Sequence, residues 1–235
     1  MHSFFCKPMN FRGISMLKFY HNPLSPNSRR VWIALLEKEL PFELIQMELD
    51  GDQFKPEFMA ISPFHHIPAL VDDNFSMVES QAILDYLEAR YPDRALLPND
   101  PKALGIVQMV RMTTINELAP AMSPMVSQMF GLGAPEAEKL EQSKQKLAVV
   151  LQFFDRLLNG NAYFGGEQLS LADITAGVSI PWLPKLGMSI DDYPNIKGWC
   201  DRLQSRPSWQ TTQAKPEMLE KLKTRMQARA AKAQS

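Results

Sequence analysis

The sequence has 235 residues, of which 45% are hydrophobic and 22% charged, a balance typical of a folded globular protein. Because 25 basic residues are balanced by 26 acidic ones, the chain lacks the basic field on which non-specific nucleic-acid binding depends, and we expect no nucleic-acid partner. Cys6 and Cys200 are too few and too far apart for a disulfide framework or a zinc knuckle, so we expect a reducing, cytoplasmic location. No apolar run approaches the roughly 18 residues that cross a bilayer, so we expect no membrane partner. Residues 1–15 lack the apolar core of a secretion signal and are interpreted as a disordered extension.

Residues 16–91 alternate between strand and helix patterns. The predicted elements are a strand at 17–20, a helix at 26–39, a strand at 42–46, a short helix at 56–60, strands at 67–71 and 75–78, and a helix at 79–90. The first three elements form a βαβ unit, which implies a parallel strand pair joined by a right-handed crossover. The whole order, β-α-β-α-β-β-α, is that of a thioredoxin-like domain.

The rest of the chain shows only helical patterns. Residues 92–101, PDRALLPNDP, contain three prolines and few periodic apolar positions, so they are predicted to be a linker. Beyond it, helices are predicted at 102–118, 136–158, 194–206 and 216–231. Ser170 and Asp173 fit a variant of the capping box ahead of another apolar run. The predicted fold is therefore a thioredoxin-like domain at 16–91 followed by an all-helical domain at 102–235.

Four short motifs occur in a defined order along these elements: SPNSRRV after the first strand, then HIPAL, VES and SLAD. Together with the order of elements, they resemble the soluble glutathione S-transferases, over about residues 16–214. The resemblance is to serine-type members, of the bacterial theta-like or phi-like kind. It implies a cytoplasmic homodimeric enzyme of detoxification that adds the thiolate of glutathione to small hydrophobic electrophiles. Glutathione would then be the co-substrate, with no permanently bound cofactor.

Ser25 precedes Pro26, and serine at the N-cap followed by proline is a preferred helix start. The N-terminus of a helix also favours negative charge, so it can lower the pKa of a bound thiol from its ordinary ~8.5. In serine-type relatives the activating hydroxyl lies six residues before the valine of the first helix, the interval from Ser25 to Val31. The resemblance therefore implies that Ser25 stabilises the thiolate in addition to capping the helix, and the amide of Asn27 is the alternative.

Glu79 and Ser80 begin the last helix of the first domain. A serine at a helix N-terminus suits the γ-glutamyl carboxylate of glutathione, and Glu79 can oppose the ligand's ammonium group. The alternative is a capping box in which Ser76 caps the helix and Glu79 is its third residue. That arrangement would destroy the return strand of a hairpin that Asp73 and Asn74 strongly indicate, so the binding interpretation is favoured.

The resemblance adds three further glutathione contacts. It implies a cis Ile67–Pro68 bond, with the backbone of Ile67 pairing with the cysteinyl unit of glutathione, and it implies that His66 and Gln53 contact the glycyl carboxylate. His65 departs from the glycine usual at its position. No third zinc ligand accompanies the two histidines, so no metal is predicted. Ser170 and Asp173 are predicted to be structural.

Met122, Met125 and Met129 follow a helical spacing. They are either ordinary helix core or an adaptable wall of the electrophile pocket, which is expected between the two domains. Two other functions also stay open. One is a glutathione-dependent disulfide or peroxide reductase that uses Asn27, and the other is a non-catalytic binding module with the transferase fold.

Overall fold

The computed structural model describes residues 16–132 and 135–233. The predicted extension at 1–15 lies outside the described residues. The chain divides into two compact units between Arg94 and Ala95. That division falls within the segment 92–101 that is predicted to be a linker.

The first unit contains a four-stranded mixed sheet. Its elements are β1 (Leu17–His21), α1 (Pro26–Glu37), β2 (Phe42–Gln46), a 3-10 turn (Asp52–Phe54), α2 (Pro56–Met59), β3 (Ala69–Asp72), β4 (Phe75–Val78) and α3 (Ser80–Arg90). The strand order is β2-β1-β3-β4, with β2 parallel to β1 and both other pairs antiparallel. The predicted thioredoxin-like fold is confirmed.

Alternating burial in the strands and an apolar face on each helix explain this arrangement. In β1, Leu17 and Phe19 are fully buried, whereas Lys18 between them is exposed. Helices α1 and α3 contact each other and contribute the buried side chains Val31, Ile33, Leu35, Ile83, Leu84 and Leu87. Burying each of these side chains contributes roughly 1.5–3 kcal/mol, which is why the chain closes around them.

Several predicted boundaries in this unit are wrong by one or two residues, for example the end of α1, which lies at Glu37 rather than at residue 39. Two of the others bear on the segments around Pro68 and Glu79. Strand β3 begins at Ala69 rather than at residue 67, and its ladder to β1 begins where Tyr20 pairs with Ala69. Pro68 has no N–H to donate to a ladder, which fits its place outside the strand. Helix α3 begins at Ser80 because Glu79 has a non-helical backbone.

The second unit is helical, as predicted. It consists of α4 (Pro101–Thr113), a π-helical turn (Thr114–Leu118), α5 (Ala119–Met129), α6 (Ala137–Leu157), α7 (Leu171–Gly177), a 3-10 helix (Ile180–Leu186), α8 (Pro194–Gln204), α9 (Pro207–Thr211) and α10 (Pro216–Ala233). The helix predicted at 102–118 does not stop there, since the π-helical turn connects α4 directly to α5.

Asp173 lies in the first turn of α7 in the second unit and is completely buried. Its carboxylate accepts hydrogen bonds from the backbone N–H groups of Phe164 at 3.0 Å and Ser170 at 2.8 Å. It also accepts from the Ser170 hydroxyl at 2.6 Å and from Nε1 of Trp199 at 2.8 Å. The carboxylate therefore connects the start of α7 to α8 and to the segment before α7, as a structural role for Ser170 and Asp173 requires.

Candidate functional site

The turn between β1 and α1 is held in place by Asn22. Its side-chain amide donates to the carbonyl of Met47 at 2.7 Å, and its Oδ1 accepts from the backbone N–H of Leu24 at 2.9 Å. The Asn22 carbonyl also accepts from the N–H of Ser25 at 3.0 Å. These bonds fix the backbone of Ser25 relative to the sheet.

Ser25 is the N-cap of α1, and its Oγ accepts from the backbone N–H of Ser28 at 3.3 Å. That bond uses an oxygen lone pair and leaves the hydroxyl proton available for donation. Capping and thiolate stabilisation are therefore compatible at Ser25. The hydroxyl of Ser28 lies on a buried residue and accepts from the N–H of Asn22 at 3.3 Å, so it belongs to the scaffold.

Asn27 lies further along α1 and is oriented by Arg30. Nη1 of Arg30 donates to Oδ1 of Asn27 at 2.6 Å, so the Asn27 amide nitrogen is the end left for donation. Arg30 is only 2% exposed, and burial lowers the pKa of its guanidinium to about 10, which keeps it charged at neutral pH. This cation reinforces the preference of the α1 N-terminus for negative charge.

Glu79 has a φ of 67° and a ψ of 112°, an unusual conformation for a residue with a side chain. Its side chain makes no capping hydrogen bond to α3, and its carbonyl accepts from the N–H of Ile83 at 2.9 Å. Strained backbone of this kind concentrates at functional sites. The capping-box alternative is wrong, because Ser76 lies in β4, where it pairs with Val71.

The segment before β3 contains the two histidines. The Ile67–Pro68 peptide bond is cis, and His65 has a φ of 58°. A left-handed φ is the conformation that glycine adopts at least cost, which explains why glycine is usual at the His65 position. The hydroxyl of Ser62 donates to the carbonyl of His66 at 2.8 Å and accepts from its N–H at 3.2 Å, which holds the turn.

These segments meet in one cleft of about 370 Å³ within the first unit. It is lined by Ser25, Asn27, Leu49, His65, His66, Ile67, Pro68, Glu79 and Ser80. Two anion-favouring helix N-termini, those of α1 and α3, therefore open on the same cleft. With the backbone around Ile67, they provide places for a sulfur anion, a carboxylate and an extended peptide.

Gln53 is the one predicted glutathione contact that does not line the cleft. Its Oε1 accepts from the N–H of Gly51 at 3.1 Å. Leu49 lines the cleft instead, at a φ of 58°, and its N–H donates to the Asp52 carboxylate at 2.9 Å. An aspartate at the start of a short turn, here Asp52, is the sequence signal for this geometry, although it does not indicate which side chain faces the cleft.

The predicted methionines lie on α5 of the second unit. Met122 and Met125 are 8% and 2% exposed, respectively, and Met129 is half-buried. Their part in an electrophile pocket stays a prediction. Among residues 16–132 and 135–233, no three His, Cys, Asp or Glu side chains group as metal ligands, and no described helix is long and apolar enough to span a membrane.

Two family models match the chain: the glutathione S-transferase N-terminal domain at residues 19–95 and the C-terminal domain at 110–207. A glutathione S-transferase 3 from Zea mays is 34% identical over 210 residues, which covers 84% of this chain and 93% of the relative. The chain belongs to the glutathione S-transferase family. The family, the fold and the enzyme class predicted from the sequence are confirmed.

Other members of the glutathione S-transferase family are similar to this chain in sequence and in structure. A glutathione S-transferase from Hyoscyamus muticus is 30% identical to this chain, and the match covers 82% of this chain and 95% of the relative's length. Among solved structures, glutathione S-transferase III in its apo form has 34% identity, covers 84% of this chain and 95% of its own, and gives a TM-score of 0.72. A delta-class glutathione transferase from Nilaparvata lugens has 27% identity and a TM-score of 0.75, and the match covers 93% of this chain and 100% of the transferase chain.

Proposed function

We propose that the cleft of the first unit binds glutathione and that the N-terminus of α1 keeps its sulfur ionised for attack on a small hydrophobic electrophile. The observation that carries the proposal is the meeting of Ser25, Ile67, Glu79 and Ser80 in one cleft. The γ-glutamyl carboxylate binds at Ser80 and the N-terminus of α3, and Glu79 faces the ammonium group. The cysteinyl unit pairs with the backbone of Ile67, and His66 contacts the glycyl carboxylate.

The reaction follows from where the sulfur is held. The thiol loses its proton to solvent, and the thiolate is stabilised by the Ser25 hydroxyl and the α1 N-terminus. Its electron pair forms a bond to an electrophilic carbon while a leaving group departs with the pair of the broken bond. With an activated double bond, the displaced pair instead takes a proton from water. The protein supplies positioning and charge stabilisation, and glutathione is the co-substrate.

Assignment to the serine-type, theta-like or phi-like members is tested by Ser25→Gly. Glycine is an acceptable N-cap that costs only about a few tenths of a kcal/mol relative to serine, so the helix start survives while the hydroxyl is lost. The pKa of the bound thiol, followed by thiolate absorbance, should lie below ~8.5 in the wild type and rise in the variant. We expect kcat/KM for a chloronitrobenzene substrate to fall roughly 10²-fold, as for the loss of one oxyanion donor.

The matched control is Ser76→Gly, which removes an exposed hydroxyl from β4, outside the cleft lining. It should leave both the thiol pKa and kcat/KM unchanged. A normal thiol pKa in Ser25→Gly would show that Ser25 is not the activating residue.

Asn27 supports a second candidate, glutathione-dependent disulfide or peroxide reduction. Arg30 orients its amide, and Asn27 lines the same cleft. If this candidate is correct, Asn27→Ala should abolish reduction of a mixed glutathione disulfide while Ser25→Gly retains it. Loss of conjugation in Ser25→Gly with unchanged reduction in Asn27→Ala would exclude it.

We also propose a cytoplasmic homodimer and an electrophile contact with Met122, Met125 and Met129 on α5. Phe54 and Phe75, both more than half exposed, are apolar surface of the first unit that an interface would cover. Sedimentation velocity tests the dimer, and cell fractionation tests the location. Met129→Ala, at the half-buried position, should raise KM for the electrophile more than KM for glutathione.

A further inference from the structure

A second cleft lies wholly within the helical unit, between α6 on one side and the π-helical turn with α5 on the other. Its volume is about 200 Å³, below the 300–1,000 Å³ of sites for drug-sized ligands, so it suits a small molecule. It is lined by Asn116, Glu117, Pro120, Ala121, Pro124, Lys139, Gln142, Ser143 and Lys146. Nothing in the proposed transferase reaction uses these residues.

The α6 wall supplies cations and hydrogen-bond donors. Lys139, Gln142, Ser143 and Lys146 are spaced i, i+3, i+4 and i+7, which places them on one helix face. Lys146 makes no ion pair with another described residue. Lys139 contacts Glu136 at 3.6 Å, but both side chains are largely exposed, and such pairs contribute about 0–1 kcal/mol and exchange readily.

Ser143 adds a hydroxyl to this wall between the two lysines. The residue is only 7% exposed and lines the cleft, and within the described part of the chain its hydroxyl makes no hydrogen bond to another protein group. Its Oγ is not one of the buried side-chain atoms that lack a partner, so the hydroxyl is open to the cleft rather than sealed in the core. It can therefore donate to a ligand acceptor seated between Ser143 and Lys146.

The opposite wall supplies acceptors. Pro124 lies inside α5 and has no N–H, so the carbonyl of Pro120, four residues earlier, lacks its usual helical donor. Glu117 adds a carboxylate that forms no ion pair with another described residue. It belongs to the π-helical turn Thr114–Leu118, a distortion that is frequent at functional sites.

We propose that this cleft binds an acidic α-amino acid. The two carboxylates of the ligand pair with Lys139 and Lys146, one of them also accepting from the Ser143 hydroxyl, and its ammonium group binds Glu117 and the carbonyl of Pro120. Two lysines and one glutamate give the lining a charge of +1, which complements the net charge of −1 on the ligand. The proposal is independent of the transferase function.

The test is titration calorimetry of the full-length protein with L-glutamate as the probe. We expect saturable binding that weakens at least tenfold in Lys146→Met and in Glu117→Gln. The matched controls are Lys144→Met and Glu141→Gln, which remove the same charges from α6 positions outside the cleft lining, and they should bind as the wild type does. Glutarate, which lacks the ammonium group, should bind at least tenfold more weakly than L-glutamate.

A double variant, Glu79→Gln with Ser80→Ala, separates this cleft from the glutathione cleft and should retain L-glutamate binding. Binding that disappears in the double variant belongs to the first cleft and overturns the proposal. Absence of L-glutamate binding, equal affinity for glutarate, or unchanged affinity in Lys146→Met and Glu117→Gln also overturns it. Failure of the transferase function would appear separately, as loss of glutathione binding with L-glutamate binding intact.

Discussion

His21 lies at the end of β1, where its ring stacks on Phe19 at 5.5 Å and meets the edge of Trp32 at 4.8 Å between ring centroids. The residue is 1% exposed, and its buried Nδ1 has no hydrogen-bond partner among the described residues. Burial lowers the pKa of this imidazole to about 4 from its ordinary value of 6.5. The folded protein therefore keeps His21 neutral where the unfolded chain protonates it.

Acid should therefore destabilise the protein in a defined pH range. Below pH 6.5 the unfolded state binds a proton that the folded state takes up only near pH 4. The stability due to neutral His21 is present above pH 6.5 and is lost as the pH falls to 4, amounting to about 3 kcal/mol. We expect the free energy of unfolding, measured in urea at several pH values, to fall through this range.

His21→Phe should flatten that profile, because phenylalanine keeps an aromatic ring beside Phe19 and Trp32 but cannot bind a proton. The control is His66→Gln, which removes an exposed imidazole and should leave the slope as in the wild type. An unchanged slope in His21→Phe would assign the acid sensitivity to other groups.

Helix α5 carries a proline in its interior, and this has a consequence for stability. A proline there costs about 3 kcal/mol through the lost hydrogen bond and the steric clash, whereas its restriction of the unfolded chain returns only about 0.4–1 kcal/mol. Pro124→Ala should therefore raise the free energy of unfolding by about 2–2.6 kcal/mol in urea titrations. It should also weaken L-glutamate binding, since the N–H of the introduced alanine would donate to the carbonyl of Pro120.

Pro101→Ala is the matched control, because Pro101 occupies the first turn of α4, where no intrahelical N–H bond is lost. This change should lower stability by at most about 1 kcal/mol, through the unfolded state alone. Destabilisation by Pro124→Ala would mean that the proline in α5 is required for packing.

Strands and helices whose own residues show a periodic apolar pattern could be predicted from the sequence. Elements that are fully buried or very short show no such pattern and could not. The strands and helices of the first unit alternate apolar and polar positions or carry an apolar face, and the order of these strands and α-helices was predicted. All seven residues of α7 are buried, so it has no polar face and only its start at Ser170 could be recognised. The 3-10 helix Ile180–Leu186 and the five-residue α9 are too short for a periodic signal.

The same distinction applies to the cleft of the first unit, where we propose that glutathione binds. Ser25, Glu79 and Ser80 line this cleft, and their place at helix starts could be predicted because helix starts have local sequence signals. Leu49 was missed because its place depends on the backbone turn around Asp52, and Gln53 was misplaced for the same reason. Side chains on loops are positioned by long-range packing, which a local pattern does not contain.

At the scale of the whole molecule, a ligand of the folded state should stabilise the protein by mass action. A non-reacting analogue, S-methylglutathione, at about a hundred times its Kd should raise the free energy of unfolding by about 2.7 kcal/mol. Thermal or urea unfolding with and without the analogue measures this difference. Ser80→Ala, which removes a hydroxyl at the N-terminus of α3, should reduce the gain at the same analogue concentration, whereas Ser76→Gly on β4 should keep it.

Ser25→Gly makes this measurement specific to the mechanism. The analogue has no ionisable thiol, so its binding does not need the Ser25 hydroxyl, and the stabilisation should persist while conjugation is lost. Loss of both the stabilisation by the analogue and the conjugation activity in Ser25→Gly would mean that Ser25 binds the tripeptide as a whole rather than stabilising its sulfur anion. Equal stabilisation in Ser80→Ala and the wild type would contradict the proposal that the γ-glutamyl carboxylate binds at the start of α3.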